Sequence, residues 1–213
     1  MLGDIARRLV PVQVRRIMGF DAKGMYSLVL WVTRRRHGVP PGGTALPYAR
    51  EQSSPLLIFL FVLVVETVVF DLLLRGIGAP EWLRLPVLAV DLYSIAAVIA
   101  IAAGCVTRPH VVTPDELRVR YSAFFDLRVP RDLVTSARLS VDHNESGMVR
   151  LHDTHLSVAV GSRTNIVVEL AGPVTVTLPL GRRAEATRIR FFTDTPAAAL
   201  AALTRHDESQ SLR

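Results

Sequence analysis

The stretch that decides the fold spans residues 55–106. It reads PLLIFLFVLVVETVVFDLLL over 55–74 and LPVLAVDLYSIAAVIAIAAGCV over 85–106. Neither run contains Lys or Arg. Crossing a hydrocarbon layer of roughly 30 Å takes about 20 mostly apolar residues, so each run is long enough. The break at 75–84 holds Gly76, Gly78 and Pro80, which suit a tight connection. The pattern predicts a transmembrane helical hairpin, 55–74 and 85–106.

N-terminal to the hairpin, residues 1–54 form a basic segment. Nine basic residues there oppose Asp4, Asp21 and Glu51 and leave it at +6, which matches the net charge of the whole 213-residue chain. Ile5, Leu9, Val12 and Ile17 make a weak helical stripe that Pro11 interrupts. The apolar patch MYSLVLWV at 25–32 is too short to span. It runs into Arg34, Arg35 and Arg36 without a small-residue cleavage site, unlike a signal peptide. It reads as a membrane-surface helix with Tyr26 and Trp31 at the headgroup level. Residues 38–47, GVPPGGTALP, read as an extended linker. Met18 and Met25 are alternative starts that would remove the first part of this segment.

The charge pattern sets an orientation. Arg34, Arg35, Arg36 and Arg50 precede the first run, Arg108, Arg118 and Arg120 follow the second, and Arg75 and Arg84 lie in the loop. The bias predicts a multi-pass protein of the cell membrane with both termini cytoplasmic, and Trp82 in the loop as an interfacial anchor. The chain is 50% hydrophobic with mean hydropathy +0.32 and pI near 10.4. Its aromatics are only 7% and do not interleave with basic residues, so the basic excess does not read as a nucleic-acid surface. The single cysteine, Cys105, excludes an intrachain disulfide, and the six histidines show no zinc spacing. No cofactor or metal is expected.

From 107 onward the pattern changes to period two. Leu117, Val119 and Tyr121 alternate with Arg118 and Arg120; Leu127 and Val129 flank Arg128; further alternations follow at 156–160, 166–170, 174–178 and 188–191. Breaks at 113–116, 129–132, 142–147, 161–164 and 171–173 separate them. Such β-branched runs at spacings near ten residues predict about seven strands in a small antiparallel sandwich or barrel over 107–205. Asp194, Thr195 and Pro196 open AAALAALTR as a capped helix, and 206–213 reads as a polar tail.

About seven strands closed by one helix is the order of a pleckstrin-homology-like (PH-like) barrel. The strand pair ELRVRYSAFFDLRV, the Pro130–Leu133 step and the Asp194–Pro196 turn resemble the bacterial PH-like domains that follow paired membrane helices. RRRHGVPPG and ELAGPVTVTLPLG resemble phrases of integral membrane proteins of actinobacteria. From Arg34 onward the resemblance implies a fold and a location, and it brings no active-site residue.

Two sets of side chains are candidates for function. Glu66, Asp71 and Asp91 lie inside the apolar runs, where an ionisable group costs about 2.5–3.5 kcal/mol. Counted from the loop end, Asp71, Asp91 and Glu66 lie roughly 5, 9 and 12 Å deep, and Glu66 and Asp71 project about 140° apart. They suggest a proton- or cation-handling site; the plainer reading has Asp71 paired with Arg75 and Asp91 approaching Arg84. Arg118, Arg120, Arg128, Arg188 and Arg190 occupy the polar phase of their strands and suggest contact with anionic lipid headgroups, or simply solvated sheet faces. His152, Asp153 and His155 suggest only a loop. No Gly-rich phosphate loop, GxSxG or nucleophile spacing is present, so no enzyme is expected. The expected role is a membrane-anchored binding or scaffolding protein, with the lipid bilayer and another membrane protein or a second copy as partners. The alternative is an oligomeric membrane component that handles protons or cations.

Overall fold

A computed structural model describes residues 12–210. The sequence stripe through Ile5 and Leu9 and the last three residues of the tail lie outside them. Helix α1 covers Val12–Val32. A hairpin of α2, Ala49–Gly76, and α3, Glu81–Thr107, follows. Nine strands and a closing helix α4, Pro196–Gln210, complete the described chain.

The hairpin helices exceed the expected runs at both ends, at 28 and 27 residues. Each is about 40 Å long, and both are long and apolar enough to cross a membrane. Their connection is a Schellman turn: the N–H of Gly78 bonds the carbonyl of Arg75 at 3.0 Å and that of Ala79 bonds Leu74 at 2.9 Å. Gly78 takes φ +66° there, the left-handed state that favours glycine. Trp82 beside the turn is 75% exposed.

Helix α1 is longer than the expected surface helix and begins directly after Pro11 in the sequence. It packs against α3, with Gly24 seated on Ala100. These small residues let the two backbones approach closely. Leu30 and Ser27 are buried, whereas Tyr26 and Trp31 stay half exposed.

Two sheets share one core. The first has order β1-β2-β3-β4 and the second β5-β8-β9-β7-β6. The strands are β1 Thr44–Leu46, β2 His110–Val112, β3 Glu116–Tyr121, β4 Phe125–Pro130, β5 Val134–Asp142, β6 Val149–His152, β7 His155–Val158, β8 Thr164–Thr177 and β9 Arg183–Phe191. A 3-10 turn, Arg131–Leu133, carries the chain from one sheet to the other. The inner face of each strand supplies the core, including Leu117, Val119, Leu156, Ile166, Val168 and Ile189, with Ala199 and Leu203 of α4 packed against it.

Several expectations are corrected. The two sheets do not close into a barrel, and the second is mixed, because β7 runs parallel to β9. β1 lies inside the expected linker and pairs antiparallel with β2, Ala45 opposite Val111, so the β unit draws on residues before the hairpin. β8 runs straight through Gly172 and Pro173, which fall where the register with β9 shifts between Glu169 and Val174; a bulge accommodates both residues. His152 and His155, read as loop residues, close a hairpin. They are cross-strand partners around a two-residue turn in which Asp153 takes φ +52°. The expected polar tail is helical as far as Gln210.

Candidate functional site

The β unit and the helix ends remote from the hairpin turn meet in a buried polar joint. Arg120 lies on the polar phase of β3, as the alternation predicts. Residues 37–38 and Pro109 cover that face, so its side chain is only 2% exposed. Nη1 donates to the carbonyls of His37 at 2.8 Å and Pro109 at 3.5 Å, and Nη2 to that of Gly38 at 3.1 Å. Gly38 has φ +64°, and a Cβ there would come within 2.6 Å of Nη2, so glycine is required both for the turn and for the close approach. Burial, with Arg118 beside it, lowers Arg120 to about 10, Asp126 partly offsetting; it remains a cation at neutral pH.

Asp126 on β4 ties this cation to its neighbour. Arg118 binds it in a two-pronged pair at 2.7 and 2.5 Å, and Arg120 Nε lies 3.7 Å away. Burial raises the Asp126 carboxyl, but the Arg118 hydrogen bond and charge, then Arg120 and Arg128, outweigh it and hold it below its ordinary value. Arg108, at the end of α3, donates to Ser27 of α1 at 3.2 Å. Burial lowers the His37 imidazole, and the charges of Arg108, Arg120 and Arg118 lower it further.

Behind the arginines lies an aromatic stack. His110 stacks on Tyr48 at 4.6 Å and meets the edge of Phe191 at 5.1 Å. Its Nδ1 accepts from the Arg120 backbone N–H at 2.9 Å, which leaves Nε2–H to donate to the Phe192 carbonyl at 2.9 Å. Burial lowers this ring to about 4, so it is neutral. The Tyr48 hydroxyl accepts from the Ser122 N–H at 2.7 Å, and Tyr121 donates to Gln52 at 3.0 Å. Ser122, at φ +47°, donates to the carbonyl of Ile101 in α3. Gly104 makes this contact possible: a Cβ there would collide with Ser122 Oγ and come within 3.3 Å of its Cβ.

The first turn of α2 is held in the same way. Arg50 N–H donates to Asp194, and Glu51 pairs with Arg163 at 2.7 Å. Cys105, read as a small apolar residue, is buried with its thiol 3.7 Å from Gln52 Oε1. Every helix of the hairpin thus enters the β unit through hydrogen bonds as well as packing.

The candidates singled out in the sequence fall elsewhere or fall apart. Asp71 sits between Arg75 at 2.8 Å and Arg84 at 3.4 Å, so Arg84 takes Asp71 as its carboxylate partner. Glu66 is exposed on the hairpin, and Asp91 is half-buried. No three of the metal-binding side chain types gather anywhere among the described residues. All five candidate arginines have carboxylate partners: Arg118 and Arg120 share Asp126, Arg128 faces Glu116 at 3.8 Å, Arg188 faces Glu169 at 2.7 Å, and Arg190 lies between Asp142 and Glu145. Only Arg128 among them is more than half exposed, at 62%. Arg118, Arg120 and Arg128 lie in the first sheet and Arg188 and Arg190 in the second, so they do not form one face. Sequence reasoning passed over Tyr48, Gln52, His110 and Ser122; the only local signal was a polar residue at the edge of an apolar run.

No protein-family model, curated protein or solved structure matches this chain.

Proposed function

We propose that the chain is a membrane-anchored binding or scaffolding protein that holds its β unit in a fixed pose at the cytoplasmic face of the cell membrane. The observation that carries this reading is the joint: Arg120, Tyr48, Ser122 and Asp194 tie the hairpin into the β unit, where a plain anchor needs only a flexible tether. The membrane part rests on the hairpin surface. Only 6% of the most apolar stretch of each helix is buried, and a continuous apolar surface of that extent needs cover other than water. The excess of arginine at the inner ends favours both termini inside. The PH-like resemblance fits a recognition role, with a membrane protein or a second copy as partner, and the reading assigns no catalytic residue.

Two cysteine variants test the arrangement in intact cells with an impermeant maleimide. Glu81→Cys at the start of α3, beside the hairpin turn, is expected to label, and His143→Cys in the β unit only after lysis. The reverse pattern overturns the orientation, and release of the protein by alkaline carbonate overturns the anchor. Crosslinking in native membranes then identifies the partner; recovery of no partner counts against the scaffold role.

A further inference from the structure

A cleft of about 490 Å³ opens where α1 ends beside the inner turn of α3. Its rim carries Arg34, Arg35 and Arg36, and its wall includes Trp31 and Val106. No carboxylate lines it. These three are exposed and have no ion-pair partner among the described residues, whereas Arg118, Arg120, Arg128, Arg188 and Arg190 each face a carboxylate. The backbone also points to function. Helix α1 ends in a Schellman turn, with the Arg35 N–H on the Leu30 carbonyl and that of Arg34 on Trp31. The left-handed position belongs to Arg34, at φ +54°, where stability alone would favour glycine. A second, wholly apolar crevice of about 190 Å³ lies between α2 and α3, walled by Leu56, Leu60, Val98, Ala102 and again Trp31 and Val106. The two spaces therefore share two walls, and together they have the polarity of one amphiphile.

We propose that they hold a single anionic phospholipid of the inner leaflet, with its phosphodiester among Arg34, Arg35 and Arg36 and one acyl chain in the crevice against Trp31. Guanidinium groups suit this anion because their planar N–H pairs match phosphate oxygens. The inference rests on the membrane reading above.

Trp31 is the reporter once Trp82→Phe removes the other tryptophan. The full chain is placed in phosphatidylcholine nanodiscs containing increasing phosphatidylglycerol or phosphatidylcholine with brominated acyl chains. Brominated phosphatidylglycerol is expected to quench Trp31 at a mole fraction lower by on the order of tenfold. Arg34→Gln with Arg35→Gln and Arg36→Gln should abolish the preference. Ala102→Leu, which fills the crevice and keeps every charge, should abolish it too. Equal quenching by both lipids overturns the site. A preference that survives Ala102→Leu also overturns it, because diffuse attraction to the arginines would then suffice. A chain that carbonate extracts and neither lipid quenches removes the membrane reading and this inference together.

Discussion

The carboxylate of Asp194 accepts a hydrogen bond from the backbone N–H of Arg50 at 3.2 Å, across 144 positions of sequence. Asp194, one of the two residues that read as a cap of the C-terminal helix, thus caps the first turn of the hairpin. The Asp194 N–H donates to the Pro47 carbonyl at 2.7 Å, and so does the Thr193 hydroxyl, at 2.9 Å. An anionic acceptor at a helix N-terminus is favoured both by the unpaired N–H groups and by the helix dipole. Asp194→Ala is expected to lower unfolding stability in detergent by about 1 kcal/mol, with Asp194→Asn retaining part of it. Unchanged stability in the alanine variant would deny the cap.

Gly104→Ala tests the contact between α3 and the β3–β4 turn. The added methyl meets Ser122, whose own left-handed backbone would accept glycine. The single variant is expected to lose roughly 1–3 kcal/mol by overpacking. In the Gly104→Ala/Ser122→Gly double variant part of that loss should return. Strict additivity of the two effects in a double-mutant cycle would mean the residues do not touch.

The β unit is discontinuous in sequence. A 107–213 fragment lacks β1 and Tyr48, both of them part of the core, and is expected to aggregate or to unfold without cooperativity. Gln52 and Cys105 touch across the base of the hairpin, so a short Gly/Ser linker can join residue 52 to residue 105. The resulting 37–52/105–213 chain should be soluble and unfold in one cooperative step. Equal behaviour of the two chains in urea titration would show that β1 and Tyr48 are dispensable.

His110 gives the domain an acid limit. Folding holds the ring neutral at about 4, whereas the free ring titrates near 6.5. As pH falls below 6.5 the unfolded chain takes up the proton first. Stability is therefore complete above pH 6.5 and declines towards pH 4, by about 1.4 kcal/mol per unit and on the order of 3 kcal/mol in all. His37 is shifted the same way, so His37→Asn should keep most of the loss. Asp126, held low, acts only below its ordinary carboxylate range. NMR titration checks the assignment: a His110 ring that protonates near pH 6.5 in the folded chain contradicts it.

Much of the fold is legible in the residues. Two long runs free of Lys and Arg define the hairpin, Gly78 and Pro80 its turn, and the alternation through Leu117, Val119 and Tyr121 the inward face of β3. The strands at His110–Val112 and Val149–His152 escape notice because three or four residues carry too little period. The parallel pairing of β7 with β9 escapes because alternation gives a strand its faces and not its neighbours.

Sequence by itself determined which residues are apolar, where the chain turns, and which side of each strand is polar, because these follow from local chemistry and a fixed backbone period. Only the tertiary structure decided what covers the polar side. Arg118 and Arg120 share one phase of β3, yet Arg120 is buried under the His37 and Gly38 carbonyls that a distant segment brings. Tyr48 and Ser122, Glu51 and Arg163, and Arg50 and Asp194 are paired by the same folding. A side chain's periodicity tells where it points, and its function depends on what another part of the chain has placed there.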